Sequence, residues 1–109
     1  MYVVWSPELG AREKNVASAS SLVPDRRARQ YWDGNKLVGG AFEPILGLPL
    51  PAWDTWMLFD RNTVWRGDAP PQPAWWEHQL SVGPPALHLD PERFASHART
   101  LEQERSPRD

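Results

Sequence analysis

The sequence predicts an α/β fold in which helices flank a mixed sheet. Short runs rich in β-branched and aromatic residues recur at 2–5, 28–32 and 54–60. Segments with apolar residues near helical spacing lie between and after them, and the prolines gather in 44–51 and 70–91, where the chain must turn or connect.

Taken in order, "YVVW" (2–5) reads as a buried strand that ends at Ser6-Pro7. Ser6 can cap a helix and Pro7 suits a first helical turn, so Leu9, Val16, Ala19 and Val23 suggest a helix over 8–22, stopped by Pro24. "RARQYWDG" suggests a second short strand over 28–32, closed by Asp33-Gly34. Leu37, Val38, Ala41, Phe42, Ile45 and Leu46 then form a helical stripe. Gly39, Gly40 and Pro44 oppose that helix, at about 1 kcal/mol for each glycine and about 3 for an interior proline, so a kinked or short helix held by packing is expected. "DTWMLFD", the turn "RN" and "TVWR" predict a hairpin pairing 54–60 with 63–66. Its strand alternates Trp56 and Leu58 against Thr55, Met57 and Phe59, apolar on both faces as for a strand covered on both sides. Residues 67–90 read as an irregular proline-rich segment with one turn of helix at "PAWWEHQL", whose adjacent tryptophans point in different directions, one packing on the sheet to cover the hairpin and the other, partly exposed, a candidate anchor for a partner. Asp90 caps a last helix with Pro91 in its first turn and Phe94, Ala98 and Leu101 on its buried face; 105–109 should fray. One domain, 1–104, is expected.

Composition narrows function. The 109 residues carry a net charge of −2 with both signs mixed along the chain, so the basic field that nucleic acid requires is absent, and Arg26-Arg27-Ala28-Arg29 reads as a solvated loop. There is no cysteine, which removes thiolate nucleophiles, disulfides and thiolate metal sites together. No apolar run approaches the ~20 residues of a membrane span, and the start has no signal-peptide pattern, so a cytoplasmic location is expected. His78, His88 and His97 lack the helical spacing of a zinc motif, Ser6 lacks the frame of a nucleophile elbow, and Gly39-Gly40 lie outside any phosphate-loop frame and read as close packing. No catalytic residue, metal or cofactor is assigned.

The order strand, helix, strand, helix, hairpin, helix, with "YVVWSP", "YWDGNKLVGGAFEPILGL" and "WDTWMLFDRNTVWRG", resembles the C-terminal two-thirds of a thioredoxin-like domain of the redoxin type, over about residues 2–67 and the last helix. The family's first strand and its Cys-x-x-Cys helix would lie before Met1, so the resemblance implies an N-terminally truncated thioredoxin-like sheet. The family's cis-proline before the hairpin strand is replaced by Asp54. With both parts of the redox centre missing, thiol–disulfide exchange is not carried over. The resemblance further implies an open edge at Tyr2–Trp5, which either pairs with a second copy or marks a lost start.

Three Trp–polar pairs recur: Trp5-Ser6, Trp32-Asp33 and Trp53-Asp54. If the resemblance holds, all three crowd the strand-end rim where open α/β sheets bind ligands. Such a rim suits a sugar, a cation or a flat ring through stacking and hydrogen bonds. The alternative is that the tryptophans are core and the aspartates cap turns or helices. Three functions follow: a non-redox binding module using that rim; the C-terminal part of a thiol–disulfide oxidoreductase or thiol-dependent detoxification protein; and a small acid/base or metal-dependent enzyme using Asp33, Asp54 and a histidine.

Overall fold

A computed structural model describes residues 1–10, 12–15, 25, 26 and 28–105, and among these described residues four short strands and two α-helices form a mixed α/β arrangement. The order is β1 (Tyr2–Trp5), 3₁₀ turns at Glu8–Gly10 and Glu13–Asn15, β2 (Arg29–Trp32), α1 (Leu37–Leu46), β3 (Thr55–Leu58), β4 (Trp75–His78), a 3₁₀ turn at Pro85–Leu87 and α2 (Pro91–Arg105). The expected helix over 8–22 begins instead as two 3₁₀ turns, with Leu9 in the left-handed region at φ 54°. Residues 16–24, Arg27 and most of the 105–109 tail lie outside the described residues.

Among the described residues the strands make two sheets where one mixed sheet was expected. β1 and β2 pair in parallel, and β3 and β4 pair antiparallel. The hairpin partner is also corrected: β3 pairs with Trp75–His78, and 63–66 is not a strand. A two-residue hairpin loop favours positive φ, at both central residues in its commonest form, so that its twist matches the strands. Neither Arg61 nor Asn62 has positive φ. The chain still turns there, Thr63 N–H donating to Asp60 C=O at 3.0 Å, but it does not close into a ladder. It returns through the proline-rich segment, and Ala74 N–H reaches Leu58 C=O at 2.7 Å to begin β4. "WWEH", expected as a turn of helix, is therefore a strand within 67–90.

Each face of the β3–β4 pair is covered by a different helix. Strand alternation sets Met57 and Trp76 on one face with Thr55 and His78, and Trp56, Leu58, Trp75 and Glu77 on the other. The first face packs under α1, where Phe42, Leu46, Leu48, Trp76 and Leu80 form the core and Met57, Phe59 and Trp53 close around it. The second lies under α2, whose Arg93 and His97 meet Glu77 and Trp75. Trp56 is the part left open, 37% exposed.

Local chemistry explains both helices. Asp90 caps α2 as expected, its Oδ1 accepting from Glu92 N–H at 3.1 Å and Arg93 N–H at 3.2 Å. Phe94, Ala98 and Leu101 are only half-buried, so α2 leans on the sheet chiefly through its first two turns. α1 runs ten residues despite Pro44, which falls in its last turn. It ends on Gly47 at φ 69°, with Leu48 N–H to Glu43 C=O at 3.0 Å and Gly47 N–H to Pro44 C=O at 3.3 Å, and drops Leu48 into the core.

The two glycines of α1 differ. Gly39 lies against the Ala52 backbone, its carbonyl accepting from Ala52 N–H at 2.9 Å, and a methyl there would collide with the Ala52 carbonyl oxygen. Gly40 faces open space. Gly40→Ala should therefore stabilise the fold by about 1 kcal/mol through helix propensity. Gly39→Ala gains the same propensity but forces a backbone apart, which costs roughly 1–3 kcal/mol, so its net effect is neutral to destabilising. Urea unfolding of both variants checks this; equal stabilisation by the two would refute the contact.

Candidate functional site at the strand ends

The β1–β2 register sets Trp5 beside Trp32 at the carboxyl ends of two parallel strands. Both indoles are half-buried. Trp5 Nε1 donates to Gln30 Oε1 at 2.8 Å, which fixes the ring along the strand pair. The Trp32 indole lies over Gly34 so closely that a side chain there would touch Nε1. Asp33 N–H donates to Trp5 C=O at 2.7 Å, which closes the ladder, and Ser6 C=O accepts from Glu8 N–H at 2.8 Å as the chain turns away from β1.

Asp33 is buried and serves α1. Its two carboxylate oxygens accept from Leu37 N–H and Val38 N–H, each at 2.8 Å, satisfying donors that a helix start leaves free. The negative charge also sits where the helix dipole favours it. Here the capping alternative describes the aspartate. A salt bridge from Lys36 Nζ to Glu8 Oε1 at 2.8 Å ties the turn after β1 to the start of α1. No local signal joins positions 8 and 36, so sequence reasoning missed this pair.

Trp53 and Asp54 reach the helix by another route. Ala52 packs on Gly39, one turn into α1, and Trp53 follows it onto the core. Asp54 stands just before β3 in the left-handed region at φ 51°, a conformation that aspartate tolerates better than most residues. Its carbonyl accepts from Gln79 N–H at 3.1 Å. Trp5-Ser6 and Trp32-Asp33 are thus in direct contact, and Trp53-Asp54 joins them through the first turn of α1.

A second polar centre lies in β4. Glu77 and His78 are fully buried, yet adjacent strand residues point to opposite faces, so the two do not form a common ligand set. Glu77 Oε1 accepts from Asp90 N–H at 2.7 Å, and Oε2 accepts from Trp75 Nε1 and Arg93 Nε, both at 2.8 Å. Burial works against its charge, but the Arg93 guanidinium, the Asp90 amide and the Trp75 indole together hold the carboxyl below its ordinary range. On the other face, His78 Nδ1 accepts from Leu80 N–H at 2.9 Å and Nε2 lies 2.8 Å from Pro84 C=O. A carbonyl only accepts, so the proton sits on Nε2. Among the described residues no buried side-chain polar atom lacks a partner, and no group of three His, Asp or Glu is arranged to hold a metal ion. This centre ties the loop and α2 to the sheet; the clue in the sequence was two ionisable residues set inside an aromatic run.

No family model, curated protein or solved structure matches the chain. Among the described residues no helix is long and apolar enough to cross a membrane.

Proposed function

We propose that the chain is a non-redox, thioredoxin-like binding or interaction module of the cytoplasm, whose contact surface is the rim of Trp5, Ser6, Trp32, Asp33, Trp53 and Asp54. The carrying observation is the register that pairs Trp5 with Trp32, leaving two half-buried indoles at the ends of parallel strands. Strand carboxyl ends are where ligands meet open α/β sheets. In this reading the indoles stack on the ligand, Asp33 holds the rim to α1, and Asp54 supplies the carboxylate. Tryptophan emission should respond saturably to one of three probes: a neutral disaccharide, a tetraalkylammonium ion or a flat aromatic amine. Trp32→Leu and Asp54→Ala should each weaken that response about tenfold. No response to any probe, or a response that both variants leave intact, overturns the reading.

A second reading has support in the divided sheet. One strand placed between β1 and β3 would join the two pairs into the mixed sheet that the sequence predicts. A preceding strand with a Cys-x-x-Cys helix would do this, and the chain would then be the C-terminal part of a thiol–disulfide oxidoreductase or thiol-dependent detoxification protein. Translating the DNA upstream of Met1 tests it. An in-frame strand followed by Cys-x-x-Cys supports it, and a stop codon without such a segment removes it.

A further inference from the structure

We infer that β1 is a self-pairing edge through which two copies of this chain associate, antiparallel and about a two-fold axis at Val3. Met1 C=O and Trp5 C=O accept from β2, at Arg29 N–H (2.8 Å) and Asp33 N–H (2.7 Å). Backbone groups of successive strand residues point alternately to the two edges, so those of Tyr2 and Val4 point away from β2. Among the described residues no strand pairs there.

Three features commit the edge to a second copy. The first is chemistry: Tyr-Val-Val-Trp contains no charge and no proline, the devices by which solitary edges are protected. The second is register. Two outward residues separated by one inward residue are self-complementary when reversed. Tyr2 then faces Val4 of the partner subunit, Val4 faces Tyr2 of the partner subunit, and each pair exchanges two backbone hydrogen bonds. The third is the surface and charge that this register brings together. Tyr2 (71% exposed), Val4 (40%) and Tyr31 (49%) share one face, with Tyr2 and Tyr31 stacked at 6.3 Å. Pairing makes that face continuous across four strands and sends the two Arg29 side chains to opposite corners, so no like charges meet. It also answers the weakness of a lone two-stranded ribbon, which is marginal in water.

The contact is small, below the roughly 1,000 Å² of a stable interface, so the dimer is weak and concentration-dependent. Sedimentation equilibrium from about 1 µM to about 1 mM should show monomer passing to dimer. Val4→Pro removes an outward N–H and no bond to β2, and Tyr2→Lys sets a charge on an exposed edge side chain. Each should weaken association about tenfold or more, because each change counts twice across the axis. Val64→Lys, at an exposed position outside the β1–β2 pair, should leave association unchanged. Circular dichroism of Tyr2→Lys identical to that of the parent chain separates lost pairing from lost folding. A monomer at every concentration overturns the inference, as does a dimer indifferent to both edge variants.

Discussion

Arg93→Met is expected to destabilise the protein by about 3 kcal/mol at neutral pH. Removing one partner of a buried pair leaves the other charge uncompensated, at roughly 3–5 kcal/mol. The low end applies because the Arg93 side chain is 35% exposed while Glu77 is fully buried, and because the Trp75 and Asp90 donors remain. Methionine keeps the aliphatic stem and removes the guanidinium, whose Cζ lies 5.7 Å from the Trp75 ring centroid, so the loss reports charge, hydrogen bonding and that cation–π contact. The pH dependence follows from the sign. Glu77 in the folded chain is held below its ordinary range, so its stabilising contribution is present above the unfolded value, about 4.3, and is lost as pH falls through the lower folded value. Without Arg93 the folded value rises toward or past the unfolded one, so acid should remove less stability from the variant than from the parent chain, and the gap between the two proteins should narrow as pH falls. Urea midpoints across about pH 3 to 7 measure both effects. Equal midpoints for the two proteins at pH 7 would show that Arg93 contributes nothing to the hold on Glu77.

The same pair shows why the fold was legible in parts. β1, β2, α1 and α2 each follow from signals carried within a few residues: β-branched and aromatic runs, a 3.6-residue stripe, and Asp90-Pro91 as cap and first turn. The partner of β3 was not readable, because it depends on the backbone angles of Arg61 and Asn62 and on a strand lying beyond a proline-rich excursion. The rim was readable in part. Trp5 and Trp32 share a register because each ends a parallel strand, and strand ends can be located in a sequence. That Asp33 turns both oxygens into α1 could be foreseen only as an alternative, since an aspartate before a helix serves a cap and a ligand with the same atoms. Glu77 and Arg93 stand sixteen residues apart across a loop, and only the antiparallel pairing of β4 turns one toward the other.

Gly83→Ala should cost about 2 kcal/mol, against the ordinary direction of such a change. A glycine replaced by alanine without strain stabilises by about 0.4–1 kcal/mol, because the unfolded chain loses freedom. At Gly83 the new methyl would run into the His78 ring at both nitrogens and the carbon between them. The ring cannot step aside cheaply. It is fully buried, Leu80 N–H holds Nδ1, and Pro84 C=O holds Nε2. Overpacking of this kind costs roughly 1–3 kcal/mol, and each hydrogen bond broken in the shift adds about 1. Steric cost therefore exceeds the entropic gain. The cause can be isolated by removing the ring. In a His78→Ala background the methyl has room, so Gly83→Ala should cost almost nothing or stabilise slightly. The two substitutions should then couple by about 2 kcal/mol in a double-mutant cycle. Additive effects would mean that Gly83 is needed for its own backbone, and that the loop from Gln79 to Leu89 is not wrapped around His78.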